Sequence, residues 1–143
     1  MTIYFVETAV SEQRVLLCRW TERFYMKKKR VQVLVDSRAE AQQVDQLLWS
    51  FSQSSFIPHA VANPGEVPPA EPVLITVAKS RIEGFEALIC DIPVGVEFMS
   101  EFDFAVHFIL RDDPERTAQS RVLWQKARES GMTPVHVPYG KEG

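Results

Sequence analysis

The chain has 143 residues, 45% of them apolar and 24% charged, an ordinary globular mixture that excludes disorder as its main theme and fits one domain over residues 1–143. The formal net charge of −3 means that no global positive field draws the chain to DNA or RNA, so a nucleic-acid role must run through a local patch or another protein. No apolar run approaches the ~18 residues of a membrane span, and the opening MTIYFVE lacks the basic-then-apolar pattern of a secretory leader. The expectation is a soluble cytoplasmic protein.

Residues 2–6 carry the apolar run Ile3, Tyr4, Phe5, Val6 and predict a short buried strand. Ser11 is placed to cap a helix running to about Lys29, whose apolar face is Leu16, Trp20 and Phe24 at four-residue spacing, with Leu17 beside them. Lys27, Lys28, Lys29 and Arg30 close it. Cations suit the negative end of the helix dipole, so they read as a solvated helix end rather than a nucleic-acid patch. Residues 31–35, Val-Gln-Val-Leu-Val, form a β-branched strand. Strand, helix, strand is a βαβ unit, which makes the first two strands parallel.

Ser37-Arg38-Ala39-Glu40 has the S-x-x-E form of a capping box and starts a second helix ending near Ser50. Ala41, Val44, Leu47, Leu48 and Phe51 share its apolar face, and Trp49 falls off that arc beside Asp45 and Gln42. Residues 63–72 hold four prolines and a glycine and read as a surface loop within the domain. Strands follow over 73–77 and 87–92. Residues 102–110 alternate, with Phe102, Phe104, Val106, Phe108 and Leu110 on one side and Asp103 and His107 on the other. Asp113 before Pro114 is an N-cap with proline at N1, opening a helix that closes at Gly131. Residues 133–137 are a last strand, and Tyr139 onward is expected to fray. The sum is an α/β fold in three layers, a mainly parallel sheet with helices on both faces.

Such a sheet invites nucleotide binding, and the first βα turn decides it. Phosphate cradling needs glycines there, so that backbone N–H groups can approach the anion. The turn is Glu7-Thr8-Ala9-Val10-Ser11, and neither GxxxxGK[ST] nor GxGxxG occurs; Gly140-Lys141 has no helix after it. There is no GxSxG, no HExxH and no His pair at metal spacing. Asp103 and His107 lie ~13 Å apart along a strand, too far for a dyad. Cys18 and Cys90 are without a CxxC or a neighbouring His and read as buried free thiols of a reducing compartment. The expectation is no catalytic residue, no metal and no cofactor.

Two local features exceed what a core requires. In the segment from Leu48 through Ser52, Gln53, Ser54 and Ser55 to Phe56-Ile57-Pro58-His59, the off-arc Trp49 with Phe56 and the Pro58-His59 pair forms an aromatic anchor surface for a partner, unless neighbouring loops bury Trp49. On the last helix, Trp124 sits at the edge of a core arc of Ser120, Leu123 and Ala127, with Arg121 and Arg128 just beyond it on the flank of Thr117. That flank suits a peptide with an aromatic side chain and carboxylates; the other reading is a solvated basic face with Trp124 as core.

The LW–(x6)–FxPH spacing of Leu48-Trp49 and Phe56-Ile57-Pro58-His59, the YFVE opening, the basic-ended first helix, the Pro/Gly loop and the late RxxW helix resemble the chi subunit of bacterial DNA polymerase III through nearly the whole chain. The resemblance implies a nucleotide-binding-like fold without the phosphate loop and a non-catalytic adaptor role in DNA replication. It implies that the clamp loader is joined through the psi subunit, and that the acidic C-terminal tail of single-stranded DNA-binding protein is gripped elsewhere. Carried over by position, Trp49, Phe56, Pro58 and His59 fall on the psi-side motif. Arg121 and Trp124 fall in the tail site, with Leu110 as its apolar wall and Arg128 reading the acidic residues. Thr117 and Gln125 stand where more positive charge is expected, and Trp124 where a tyrosine is familiar. A helicase-like protein is an alternative partner for the Trp49 surface. Nucleic acid is reached only indirectly. The competing classes are a nucleotide-handling enzyme and a direct single-stranded DNA binder using Lys27–Arg30; net negative charge opposes the last.

Overall fold

A computed structural model describes residues 1–51 and 56–141. Seven strands form one parallel sheet in the order β3-β4-β2-β5-β6-β1-β7. They are β1 (Thr2–Thr8), β2 (Val31–Leu34), β3 (His59–Val61), β4 (Val73–Thr76), β5 (Ala87–Cys90), β6 (Phe104–Leu110) and β7 (Thr133–Val137). Helices α1 (Gln13–Met26) and α2 (Arg38–Phe51) cover one face, and α3 (Val96–Met99) and α4 (Pro114–Glu129) cover the other. The expected three-layer α/β architecture with a parallel sheet is the observed one. Among the described residues no helix is long and apolar enough to cross a membrane.

Because strand side chains alternate, the sheet divides the core by parity. Val6, Val33, Ile75, Ile89, Val106, Phe108 and Leu110 pack under Leu16, Leu17, Trp20 and Phe24 of α1 and Val44 and Leu48 of α2. Ile3, Phe5, Leu34, Leu74, Leu88 and Ala105 pack under Val96, Met99, Leu123 and Ala127. The central strands are therefore apolar on both faces, as parallel sheets require.

Several boundaries differ from the sequence expectation. Ser11 does not cap α1. It lies in a 3₁₀ turn, Val10–Glu12, and the N-cap is Glu12 without a side-chain bond. The helix stops at Met26, before the basic cluster. Lys28 adopts φ of 62°, its N–H reaches the Tyr25 carbonyl, and the Lys29 N–H reaches back to the Phe24 carbonyl at 3.0 Å. This is a Schellman ending with lysine where glycine is usual. The Ser37 cap forms, its hydroxyl accepting from the Glu40 N–H at 3.2 Å. The Glu40 carboxylate, however, pairs with Arg14. Asp113 caps α4 by accepting from the Arg116 N–H at 3.1 Å, with Pro114 in the first turn. Phe102 precedes β6 and packs on the α4 side, opposite Phe104. Tyr139, expected to fray, is held: its N–H donates to Glu7 at 2.9 Å, its hydroxyl to Glu12, and the Arg111 guanidinium lies 4.4 Å from its ring. Glu142 and Gly143 lie outside the described residues.

One internal support is polar. The buried Gln32 donates to Thr76 Oγ1 at 3.2 Å and the Ser80 carbonyl at 2.9 Å, and accepts from the Ile82 N–H at 3.0 Å. It pins the loop that carries the chain from β4 over β2 to β5, satisfying the amide that burial would otherwise penalise.

Candidate functional site

At the carboxyl ends of β2 and β5, where open α/β sheets usually receive ligands, the space is crossed by side-chain ion pairs. Arg14 donates to both oxygens of Asp91, at 2.8 and 2.9 Å, and to Glu40. Gln13 donates to the Asp91 carbonyl at 2.7 Å. Burial alone lowers the Arg14 pKa, but the hydrogen bonds to Asp91 and Glu40 outweigh it and hold the guanidinium above its usual value. Two carboxylates and one cation here oppose a phosphate group. Burial pushes the thiols of Cys18 and Cys90 up to about 12, so neither supplies a thiolate near neutral pH. Among the described residues no three His, Cys, Asp or Glu side chains gather as metal ligands.

The aromatic surface is built at the end of α2 and the start of β3. Trp49, off the buried arc of Ala41, Val44 and Leu48, is 51% exposed, and Phe56 is 66% exposed. Their ring centroids are 5.3 Å apart, and Trp49 lies 4.5 Å from the ring of His59. His59 is buried. Its Nδ1 faces the Ile57 carbonyl at 2.7 Å, and its Nε2 faces the Asp45 carbonyl at 3.0 Å and the Asp45 carboxylate at 3.3 Å. A fixed imidazole thus backs a half-exposed indole, and Pro58, between Ile57 and His59 in the chain, is partly buried. Trp49, Phe56 and His59 are brought together, and the reading in which loops bury Trp49 fails. Ser52, Gln53, Ser54 and Ser55 lie outside the described residues.

On the other face, Ser120, Leu123 and Ala127 turn α4 toward the sheet. This leaves a cleft of about 390 Å³ between its flank and strands β6, β1 and β7. Phe5, Ile109 and Trp124 are its apolar walls, and Thr117, Arg121, His136 and Glu7 its polar ones. Trp124 meets Phe5 edge to face at 5.0 Å. Arg121 has no ion-pair partner among the described residues. Glu7 is engaged by His136 at 3.4 Å and by the Tyr139 N–H. The cleft can take an aromatic ring against Trp124 and a carboxylate at Arg121.

Leu110 is not a wall of this cleft. It pairs with Thr8 and packs in the core under α1 and α2; its neighbour Ile109, one residue earlier and so on the opposite face, occupies that place. Thr117 donates its hydroxyl to the Leu110 carbonyl at 2.9 Å, which is the contact Leu110 does make near the site. Arg128 is exposed one turn past Trp124 and outside the lining. His107 has a structural role: it is 3% exposed, its Nε2 is hydrogen-bonded to Ser120 Oγ at 2.8 Å, and burial followed by the Arg116 charge lowers its pKa to about 4. Phe5, Glu7 and His136 went unassigned in the sequence because strand order, not spacing, brings β1, β6 and β7 beside α4.

A search among curated proteins finds no match to the chain. The family model described as DNA polymerase III chi subunit, HolC, matches residues 1–135. The chain therefore belongs to the DNA polymerase III chi subunit family, accessory subunits of the polymerase in DNA replication.

Proposed function

We propose that the chain is a non-catalytic, cytoplasmic single-domain adaptor of the replisome with two protein-binding surfaces, reaching DNA only through its partners. The Trp49–Phe56 surface, backed by His59 and flanked by Pro58, docks the psi subunit of the clamp loader or a helicase-like substitute. The cleft beside α4 takes the acidic C-terminal tail of single-stranded DNA-binding protein. A terminal aromatic ring sits against Trp124, Phe5 and Ile109, and the terminal carboxylate accepts from Arg121. Arg128 meets the preceding acidic side chains at the rim. The observation that carries the reading is the unpaired Arg121 guanidinium beside an apolar cleft containing Trp124.

Calorimetry with an acidic peptide ending in Phe, and the same peptide lacking it, tests this directly. Binding of the first and not the second supports the cleft, and equal binding sinks it. Enhanced or quenched Trp124 fluorescence on binding distinguishes this cleft from the Trp49 surface when Trp49 is replaced by Phe.

A further inference from the structure

The opposite flank of α4 borders a second cleft, of about 310 Å³, that the adaptor role leaves unused. Arg116 and Lys126 reach it from the helix, Lys79 from the loop after β4, and Val94 and Leu123 are apolar walls. The loop bearing Lys79 is held by the Gln32 network. No carboxylate lines the cleft, and none of the three cations has an ion-pair partner among the described residues. The Glu97 carboxylate lies against Gly95, one of the lining residues. Like charges around one cleft repel each other, so the fold gains nothing from this grouping.

His107 also lines the cleft. Its Nε2 is taken by Ser120, whereas its Nδ1 has no hydrogen-bond partner among the described residues. The cleft lies past the carboxyl end of β5, in the crevice zone that α/β sheets use for ligands. Three separate cationic groups exceed what one carboxylate can balance. A phosphate ester carries about −1.5 to −2 charges and three acceptor oxygens. No Phe, Tyr or Trp of the described residues lines the cleft, so it offers no broad platform for a stacked base.

We propose that this cleft binds the phosphate group of a phosphorylated ligand, with Arg116, Lys126 and Lys79 donating to its oxygens and Val94 and Leu123 against its apolar body. The group comes from a free phosphorylated small molecule or from the end or backbone of a nucleic-acid strand. The site is separate from Arg121, which lies on the other flank.

Titration of the full chain with inorganic phosphate, a ribonucleoside monophosphate, and a short oligothymidylate with and without a 5′-phosphate tests it. His107 ring resonances report the cleft. Saturable shifts are expected with inorganic phosphate and the monophosphate, and Arg116→Ala and Lys126→Ala each weaken them tenfold or more while Arg121→Ala leaves them unchanged. Tighter binding of the oligothymidylate assigns a strand as source; weaker binding assigns a free small molecule. Lys79→Ala, in a loop, serves as the variant if a helix substitution lowers the melting temperature. No saturable response of His107 to any phosphate probe, or equal affinity in folded variants, overturns the proposal.

Discussion

The Trp49 surface and the α4 cleft are both aromatic, but they are assembled in different ways. Trp49, Phe56 and His59 lie within eleven positions of one another, and the contacts that hold them run between α2 and the chain just beyond it. The cleft draws Phe5 from β1, Ile109 from β6, Arg121 and Trp124 from α4, and His136 from β7. One is a surface patch of half-exposed rings; the other is a concavity with the Arg121 guanidinium facing apolar walls. A local patch reads out as helical spacing that places a large aromatic off the core arc. A cleft is made by topology, and its residues have no common spacing.

The largest separation between the two is expected from Arg121→Ala. Losing a desolvated charged hydrogen bond costs about 2–5 kcal/mol, so affinity for a Phe-ended acidic peptide falls at least roughly thirtyfold, while co-purification through the Trp49 surface is unchanged. Retained peptide affinity breaks the assignment of the cleft.

Acid separates the regions through stability. His107 supports α4 through Ser120, and its folded pKa, about 4, lies below the ordinary value. Between these two values the unfolded chain binds the extra proton, so stability is full above pH ~6.5 and falls as pH drops toward 4, by roughly 3 kcal/mol from this group. His107→Gln flattens that part of the profile. Urea melts between pH 7 and 4.5 check it; identical slopes for wild type and variant remove His107 as the cause.

Trp49→Ala and Phe56→Ala are each expected to weaken the partner by about 2 kcal/mol, as for exposed aromatic anchors, while lowering stability by less than about 1 kcal/mol. His59→Ala behaves differently, because a buried ring with both nitrogens engaged leaves unpaired groups behind, at about 1–3 kcal/mol of stability. Melting temperatures with a pull-down distinguish the two behaviours, and unfolding of Trp49→Ala would make the patch part of the core.

The smallest effect belongs to Arg128→Ala. As an exposed rim charge it changes peptide affinity by less than about 1 kcal/mol, and the difference shrinks as salt is raised. A loss as large as that of Arg121→Ala, persisting at high salt, would move the carboxylate contact one turn along α4.

Short-range signals determined much of the molecule. The apolar run of β1, the four-residue spacing of Leu16, Trp20 and Phe24, the Ser37 cap and the Asp113-Pro114 opening each act over a few residues, and each element formed. The 100° step per residue also placed Trp49 off the arc, but only the packed structure left it exposed rather than covered by loops. Where an outcome depended on which groups meet from afar, tertiary structure decided. Ser11 lost its capping role to a 3₁₀ turn, and Glu40 left its capping box for Arg14, a long-range ion pair. The three-residue β3 and four-residue α3 are too short to carry a periodicity. Alternation placed Leu110 and His107 on opposite faces, but only the helices covering both faces made His107 buried and gave the cleft wall to Ile109. The physical reason is the same each time: backbone spacing sets which way a side chain points, and only packing sets what it meets.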